Sequence, residues 1–157
     1  MTYIPKVIAL VLTYKDINLT NKCVKSIIDS SYPLLSVYLV DNGSEFDCIN
    51  PVVNQHQNLN YIALKRNVGY AGGFNAGIQF LYESKLEFDY ILLVTNDLEL
   101  DASALDGLVG IMKNDQNIGF LGPETFKRGR SGEHDQWVTK LAHKDNPATL
   151  VFDNETE

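Results

Sequence analysis

Apolar runs of four to seven residues alternate along this chain with longer stretches whose apolar positions recur at helical spacing. The run Tyr90-Ile91-Leu92-Leu93-Val94 carries no period-2 alternation, which is the pattern of a strand buried on both faces in a parallel sheet covered by helices. Residues 7–12 read the same way, and residues 36–40, 61–64 and 118–121 predict shorter strands. Between the first two strands, Leu19, Cys23, Val24, Ile27 and Ile28 form a helical stripe, with Asp16 or Asn18 placed to cap its start and Pro33 just past its end. Residues 47–57 predict a short helix or irregular segment. A glycine-dense helix follows with Phe74, Ile78, Leu81 and Tyr82 on its apolar face, and Asp101 can cap a last helix carrying Leu105, Leu108, Val109 and Met112. Strand and helix alternate four times, so the expected fold is α/β, a three-layer α/β/α arrangement around a mostly parallel, doubly wound sheet. Beyond Glu124 the pattern weakens: residues 127–132 read as a loop, 136–141 and 149–152 as weak strands, and 153–157 as an acidic, frayed tail. No repeat or linker divides the chain, and a single domain is expected.

The strands end in polar residues. The run at 90–94 stops at Thr95-Asn96-Asp97, the second strand at Asp41-Asn42-Gly43-Ser44, and the first at Thr13-Tyr14-Lys15-Asp16. Ligands of open α/β sheets collect at the carboxyl ends of strands, and Asp97 there can reach a cation while Asp41 can accept from ribose hydroxyls or a base N–H. Both segments are also ordinary turn compositions, in which the side chain closes on its own backbone. The stretch from Lys65 to Gly77 has four glycines in the nine residues 69–77, an unfavourable way to begin a helix. Such a helix needs backbone close to another body, either a neighbouring strand or a ligand over the helix start. It is neither G-x-G-x-x-G nor a P-loop, which excludes two common nucleotide motifs.

Composition narrows the function. The 157 residues carry a formal net charge of −7, with pI near 4.9, which argues against nucleic-acid binding, since phosphate tracking needs clustered Lys and Arg. An anionic ligand needs local help from a metal, from backbone N–H groups or from Lys15, Lys65 and Arg66. Cys23 and Cys48 show neither metal spacing nor a disulfide framework and read as intracellular thiols. The early apolar run is too short for a membrane span, so a cytoplasmic chain is expected. His56, His134, His143 and Trp137 read as ordinary loop or hairpin side chains.

From about Lys6 to about Glu124 the residues resemble the family 2 glycosyltransferases of GT-A fold. The carriers are Val11-Leu12-Thr13-Tyr14, Leu39-Val40-Asp41-Asn42-Gly43-Ser44, Asn67-Val68-Gly69-Tyr70-Ala71-Gly72-Gly73-Phe74-Asn75-Ala76-Gly77, Thr95-Asn96-Asp97 and Ile118-Gly119-Phe120-Leu121-Gly122-Pro123. The glycine-rich stretch looks most like the rhamnosyltransferase-like branch. The resemblance implies that Leu12, Thr13 and Tyr14 lie beside a nucleotide base, that Asp41 bonds the base or ribose, that Arg66, Asn67 and Gly69 close over the base, and that Asn75 faces the nucleotide. Thr95-Asn96-Asp97 stands where the family writes Asp-x-Asp. With Thr95 in place of the first Asp, Asn96 meets the ribose or sugar and Asp97 alone binds Mg²⁺ or Mn²⁺, with Glu99 ranked behind it. Helix electrostatics would draw a diphosphate to the glycine-rich helix start, whereas the family places it at the metal, where a divalent charge outweighs the helix end.

The implied activity is inverting transfer of a sugar from a nucleotide-diphosphate sugar, dTDP-rhamnose or a UDP-sugar, to a glycan or glycolipid acceptor. Peripheral membrane contact and homo-oligomerisation are further expectations about partners. The acids between Glu124 and Glu157 read as loop and tail charges, so the catalytic base is expected outside this chain, which reads as the donor-binding part of a protein truncated at its acceptor side. The alternative is a catalytically incomplete nucleotide-binding or scaffolding domain of the same fold. A nucleotidylyltransferase is disfavoured, because Thr13-Tyr14-Lys15-Asp16 is not a glycine-rich phosphate loop.

Overall fold

A computed structural model of the chain describes residues 3–122, 125–126, 136–137 and 142–143, with the backbone alone for 46–50 and for the last three pairs. The chain divides into two compact units, Met1–Leu105 and Asp106–Glu157. The first contains β1 (Val7–Thr13), α1 (Ile17–Ile28), β2 (Leu35–Asp41), α2 (Phe46–Gln55), β3 (Leu59–Ala63), α3 (Gly69–Glu83) and β4 (Tyr90–Thr95). Its four strands pair in the order β3-β2-β1-β4, all parallel, as the strand–helix alternation predicts.

Side-chain alternation sorts the sheet into two cores. Ala9 and Val11 of β1, Val37 and Leu39 of β2 and Val94 of β4 pack with Cys23, Val24 and Ile27 of α1 and Val52 of α2. The opposite parity, Ile8, Leu10 and Leu12 with Val40 and Ile62, packs against Phe74 and Leu81 of α3. Period-2 alternation in a sheet covered on both faces thus produces continuous apolar runs, and each fully buried Leu or Ile contributes about 1.5–3 kcal/mol. The same parity carries Thr13 and Asn96, the continuations of Val11 and Val94, to the α1 side.

The strand buried on both faces is β1, in which every residue is buried. The run at 90–94 was expected in that place, but β4 pairs only with β1 among the described residues, and Leu93 remains 41% exposed. Helix α3 rests on β1 and β2, so the apolar run of β4 has a side that α3 does not cover. Two helix stripes also differ from expectation by one position. Asp16, not Asn18, caps α1, its Oδ1 accepting from Leu19 N at 3.0 Å, and the buried stripe is Thr20, Cys23, Val24 and Ile27. Leu19 lies about 100° round the helix from Thr20 and is 40% exposed. In α3 Leu81 takes the inward position and Tyr82 faces out, its ring edge against Phe88.

In the second unit, which begins in the first turn of α4 (Ala104–Asn114), β5 (Ile118–Phe120) pairs antiparallel with β8 (Ala142–His143). β6 (Thr125–Phe126) pairs antiparallel with β7 (Gln136–Trp137). The strand expected at 118–121 is therefore not a further member of the parallel sheet: it is three residues long, buried only at Ile118, and its partner comes from its own unit. The expected loop at 127–132, the strand at 149–152, the tail at 153–157 and His134 lie outside the described residues.

Candidate functional site

Three parallel strands deliver their carboxyl ends side by side. Thr13 pairs with Asp41 across β1 and β2, and Asn96 follows Thr95, the partner of Leu12. The strand ends are tied together by backbone bonds from Asn42 N to Thr13 O (2.9 Å) and from Asn96 N to Leu12 O (3.1 Å). On the α1 side, the hydroxyls of Thr13 and Thr20 lie 2.6 Å apart, and Asn96 Nδ2 donates to Thr20 Oγ1 at 3.0 Å and Thr13 Oγ1 at 3.2 Å. Thr13 and Thr20 are both buried, so this polar cluster is satisfied from within, as a buried hydroxyl requires.

The β2 end is closed. Asp41 is 2% exposed; its Oδ1 accepts from Ser44 N at 2.9 Å and its Oδ2 from the Tyr61 hydroxyl at 2.7 Å. The turn-closing reading of Asp-Asn-Gly-Ser is the observed one. Burial, the hydrogen bond to Asp41 and its charge together raise the Tyr61 phenol well above its ordinary pKa. Asn42, 4% exposed, accepts from Val68 N at 3.0 Å and donates from Nδ2 to Gly69 O (3.1 Å) and Asn67 Oδ1 (3.2 Å), while Asn67 Oδ1 also accepts from Gly69 N. Gly43 turns the chain at φ +81°, and a Cβ there would stand 2.4 Å from the Arg66 carbonyl carbon. The start of α3 is thereby bound onto the β2 end.

The glycines of α3 answer the question that the sequence left open. A Cβ on Gly73 would meet Leu12 Cδ1 at 2.4 Å, and one on Gly77 would meet Val40 Cγ2 at 2.9 Å. The close body is the neighbouring strand, and α3 uses these positions to sit on the sheet. Arg66 and Asn75 come together in a groove of about 380 Å³ beside α3, with Lys65 and Gln79 also on its walls. Tyr14 is 42% exposed, and the Lys15 ammonium stands 5.0 Å from its ring centre. Of the residues expected around a nucleotide, Tyr14, Arg66, Asn67, Gly69 and Asn75 are exposed, Asn96 is half-buried, and Leu12, Thr13 and Asp41 lie beneath them.

Asp97 is different in kind. It sits in the turn closed by Leu98 N donating to Thr95 O, is exposed, and takes no hydrogen bond or ion pair among the described residues. Asp97 and Glu99 add to burial, the larger cause, in pushing the Cys23 thiol up to about 12, and Cys23 Sγ lies 3.5 Å from Thr95 O. Both carboxylates therefore act on the same corner of the molecule. No three His, Cys, Asp or Glu side chains converge as a metal cage among the described residues. An exposed, unbonded carboxylate does fit Mg²⁺ or Mn²⁺ of the kind that takes one or two protein carboxylates and completes its shell with substrate phosphates and water.

Sequence reasoning did not single out Thr20 and Asn42 as individual residues. A threonine on the stripe shared with Cys23, Val24 and Ile27 is the available sign for Thr20, because a polar residue on a buried face needs partners. Asn42 stood within a recognised motif, but turn propensity does not reveal that both ends of its amide reach a segment 25 residues away.

No curated protein is significantly similar in sequence to the chain. Among solved structures, the mannosyltransferase PcManGT from Pyrobaculum calidifontis, in complex with GDP-Man and Mn²⁺, superimposes with a TM-score of 0.64 at 21% identity, over 75% of this chain and 35% of its own. S. aureus TarS 1-349 in complex with UDP superimposes with a TM-score of 0.61 at 18% identity, over 79% and 40%, and its complex with UDP-GlcNAc with 0.61 at 17%, over 79% and 38%. The chain spans about two-fifths or less of the length of these proteins, and at such identities the likeness shows the fold. The sequence pattern of glycosyl transferase family 2 matches residues 9–152, and the chain belongs to that family.

Proposed function

We propose that the chain is the donor-binding part of an inverting glycosyltransferase that takes its sugar from a nucleotide-diphosphate sugar. The observation that carries the proposal is Asp97: an exposed carboxylate without partners among the described residues, on a turn at the carboxyl end of a parallel strand, in a chain of family 2. Complexes of the similar folds with GDP-Man and Mn²⁺ and with UDP-GlcNAc support a donor of this class. In this reading Tyr14, Arg66, Asn67, Gly69 and Asn75 form the surface toward the nucleoside. Leu12, Thr13 and Asp41 support that surface from below, and Asn96 meets the ribose or sugar. Asp97 holds Mg²⁺ or Mn²⁺, which supplies positive charge against the diphosphate that leaves. Arg66 and Lys65 add cationic charge to an otherwise acidic chain. The acceptor is a glycan or glycolipid hydroxyl that attacks the anomeric carbon from the side opposite the leaving diphosphate.

A thermal-shift panel of UDP, dTDP, GDP and CDP, each with Mn²⁺ and with EDTA, tests this reading. A ligand at a hundred times its dissociation constant adds about 2.7 kcal/mol to native stability, and the expected result is stabilisation by one diphosphate that Mn²⁺ strengthens. Asp97→Asn should abolish the Mn²⁺-dependent part. Stabilisation by none of the four, or a Mn²⁺ effect that survives Asp97→Asn, overturns it, and in the second case Glu99 becomes the ligand to replace.

A further inference from the structure

We infer that Thr20 is a positioning residue for the Asn96–Asp97 turn, fixing the polarity of the Asn96 amide so that an acceptor oxygen, and no N–H, stands next to Asp97. The inference rests on the donor-binding reading for its functional consequence, but its geometry stands alone. A threonine hydroxyl has one proton and two lone pairs. The Thr20 proton goes to the Asp16 carbonyl, whose residue caps α1. The 2.6 Å contact between Thr13 and Thr20 must then be Thr13 donating to Thr20. With both hydroxyl protons committed, the cluster has only lone pairs left for Asn96, and Nδ2 is the amide atom that can meet them, at 3.0 and 3.2 Å. Thr20 is saturated by this arrangement, with one bond donated and two accepted.

The orientation of Asn96 is therefore dictated from α1 through the helix cap. Its Oδ1 has no bond among the described residues, and no side-chain oxygen without a partner is buried, so Oδ1 is open to solvent. The next residue, Asp97, carries an exposed carboxylate, so the turn offers two oxygen acceptors from successive residues. Such a pair suits a ligand hydroxyl or a hard cation, and an N–H there would oppose the cation. Replacing Thr20 by the isosteric valine removes the acceptor of the Thr13 proton. The nearest new acceptor is the Asn96 amide oxygen, so the amide turns over and presents Nδ2 beside Asp97. Thr13→Val leaves Thr20 to receive Asn96 Nδ2 and should leave the orientation as it is, although it empties the same buried space of one hydroxyl.

The test uses the purified chain and its Thr20→Val, Thr20→Ser and Thr13→Val variants. In the wild type, nuclear Overhauser contacts run from the Asn96 Hδ2 protons to the methyl protons of Thr20 and Thr13, and their absence overturns the orientation without any variant. Mn²⁺-dependent affinity for the best binder among UDP, GDP, CDP and dTDP should fall about tenfold in Thr20→Val, the scale of one buried hydrogen bond left unmet. It should return in Thr20→Ser, while affinity in EDTA is the same in the wild type, Thr20→Val and Thr20→Ser; in Thr13→Val the Overhauser contact from Asn96 Hδ2 to Thr20 should persist. A loss that Thr20→Ser does not restore, or one equal in Mn²⁺ and EDTA, reduces Thr20 to a packing residue and overturns its positioning role. If no diphosphate binds the wild type, the donor-binding reading fails and with it the functional role, whereas the Overhauser contacts still decide the amide orientation.

Discussion

The two strand ends on either side of β1 carry the same two residues in reversed order and use them in opposite ways. At the β2 end Asp41 is the buried member, both its oxygens engaged, and Asn42 binds the chain that leads into α3. At the β4 end Asn96 is the member tied inward and Asp97 the one left open. Asp41 and Asn96 flank Thr13 at one level of the sheet, and Asn42 and Asp97 stand one residue further out. The identity of the residue pair therefore does not say which end offers atoms to a ligand. The hydrogen-bond accounting does: the β2 end spends its polar groups on shape, and the β4 end keeps a carboxylate and an amide oxygen unspent.

The sharpest way to break this comparison is Gly43→Ala. The substitution forces φ +81° on a residue with a side chain and brings its Cβ within 2.4 Å of Arg66 backbone, so the β2 end must open. A loss of about 3 kcal/mol of unfolding free energy in urea is expected, and a loss under 1 kcal/mol would show that the β2 end is not rigid. Next in size is Asn42→Ala, which removes three internal hydrogen bonds and frees Val68 N and Gly69 O; about 2 kcal/mol is expected by the same measurement.

The division between the two ends was only partly legible in the sequence. Strand and helix existence followed from periodicity, and every expected strand from 7 to 94 is present in the parallel sheet. Which strand is central did not follow, because the apolar runs of β1 and β4 are alike and coverage depends on where α3 lies. The motif Asp41-Asn42-Gly43-Ser44 marked a strand end correctly, yet whether a carboxylate there points at Tyr61 or at a ligand is decided by a residue 20 positions on. Thr20 was hidden by its neighbours, since an apolar stripe is read by its apolar members. Asp97 was legible only as an acid at the carboxyl end of a strand; that it lacks partners like those of Asp41 among the described residues comes from the structure.

Asp41→Asn sharpens the comparison at intermediate cost. An amide has one oxygen; with that oxygen on Ser44 N, its Nδ2 can meet the Tyr61 hydroxyl only as a donor, so the charge-assisted bond from Tyr61 is lost and about 1 kcal/mol should go at neutral pH. The Tyr61 phenol is raised in the folded state, so its stabilising contribution is present below its unfolded pKa and is lost as pH rises through the folded one. Without the Asp41 charge the phenol should titrate at lower pH, readable in its ultraviolet absorbance. An unchanged titration would leave burial as the whole cause.

The smallest stability effect belongs to the residue with the largest proposed role. Asp97→Asn touches an exposed side chain with no partner among the described residues, so unfolding free energy should stay within about 0.5 kcal/mol. The chain nevertheless contains a reporter of that carboxylate. Burial raises the Cys23 thiol most, and the charge of Asp97 raises it further, to about 12. Because the neutral thiol is favoured in the fold, its stabilisation is present below the unfolded value near 9 and is lost as pH rises toward 12. Removing the Asp97 charge should lower the folded thiol pKa while leaving it raised by burial, so the Cβ resonance of the buried Cys23 should titrate at lower pH in Asp97→Asn than in the wild type. An equal titration would mean that the carboxylate lies too far from the Thr95 corner to be felt there. The open end would then need to be redrawn around Glu99, the other acid acting on the same thiol.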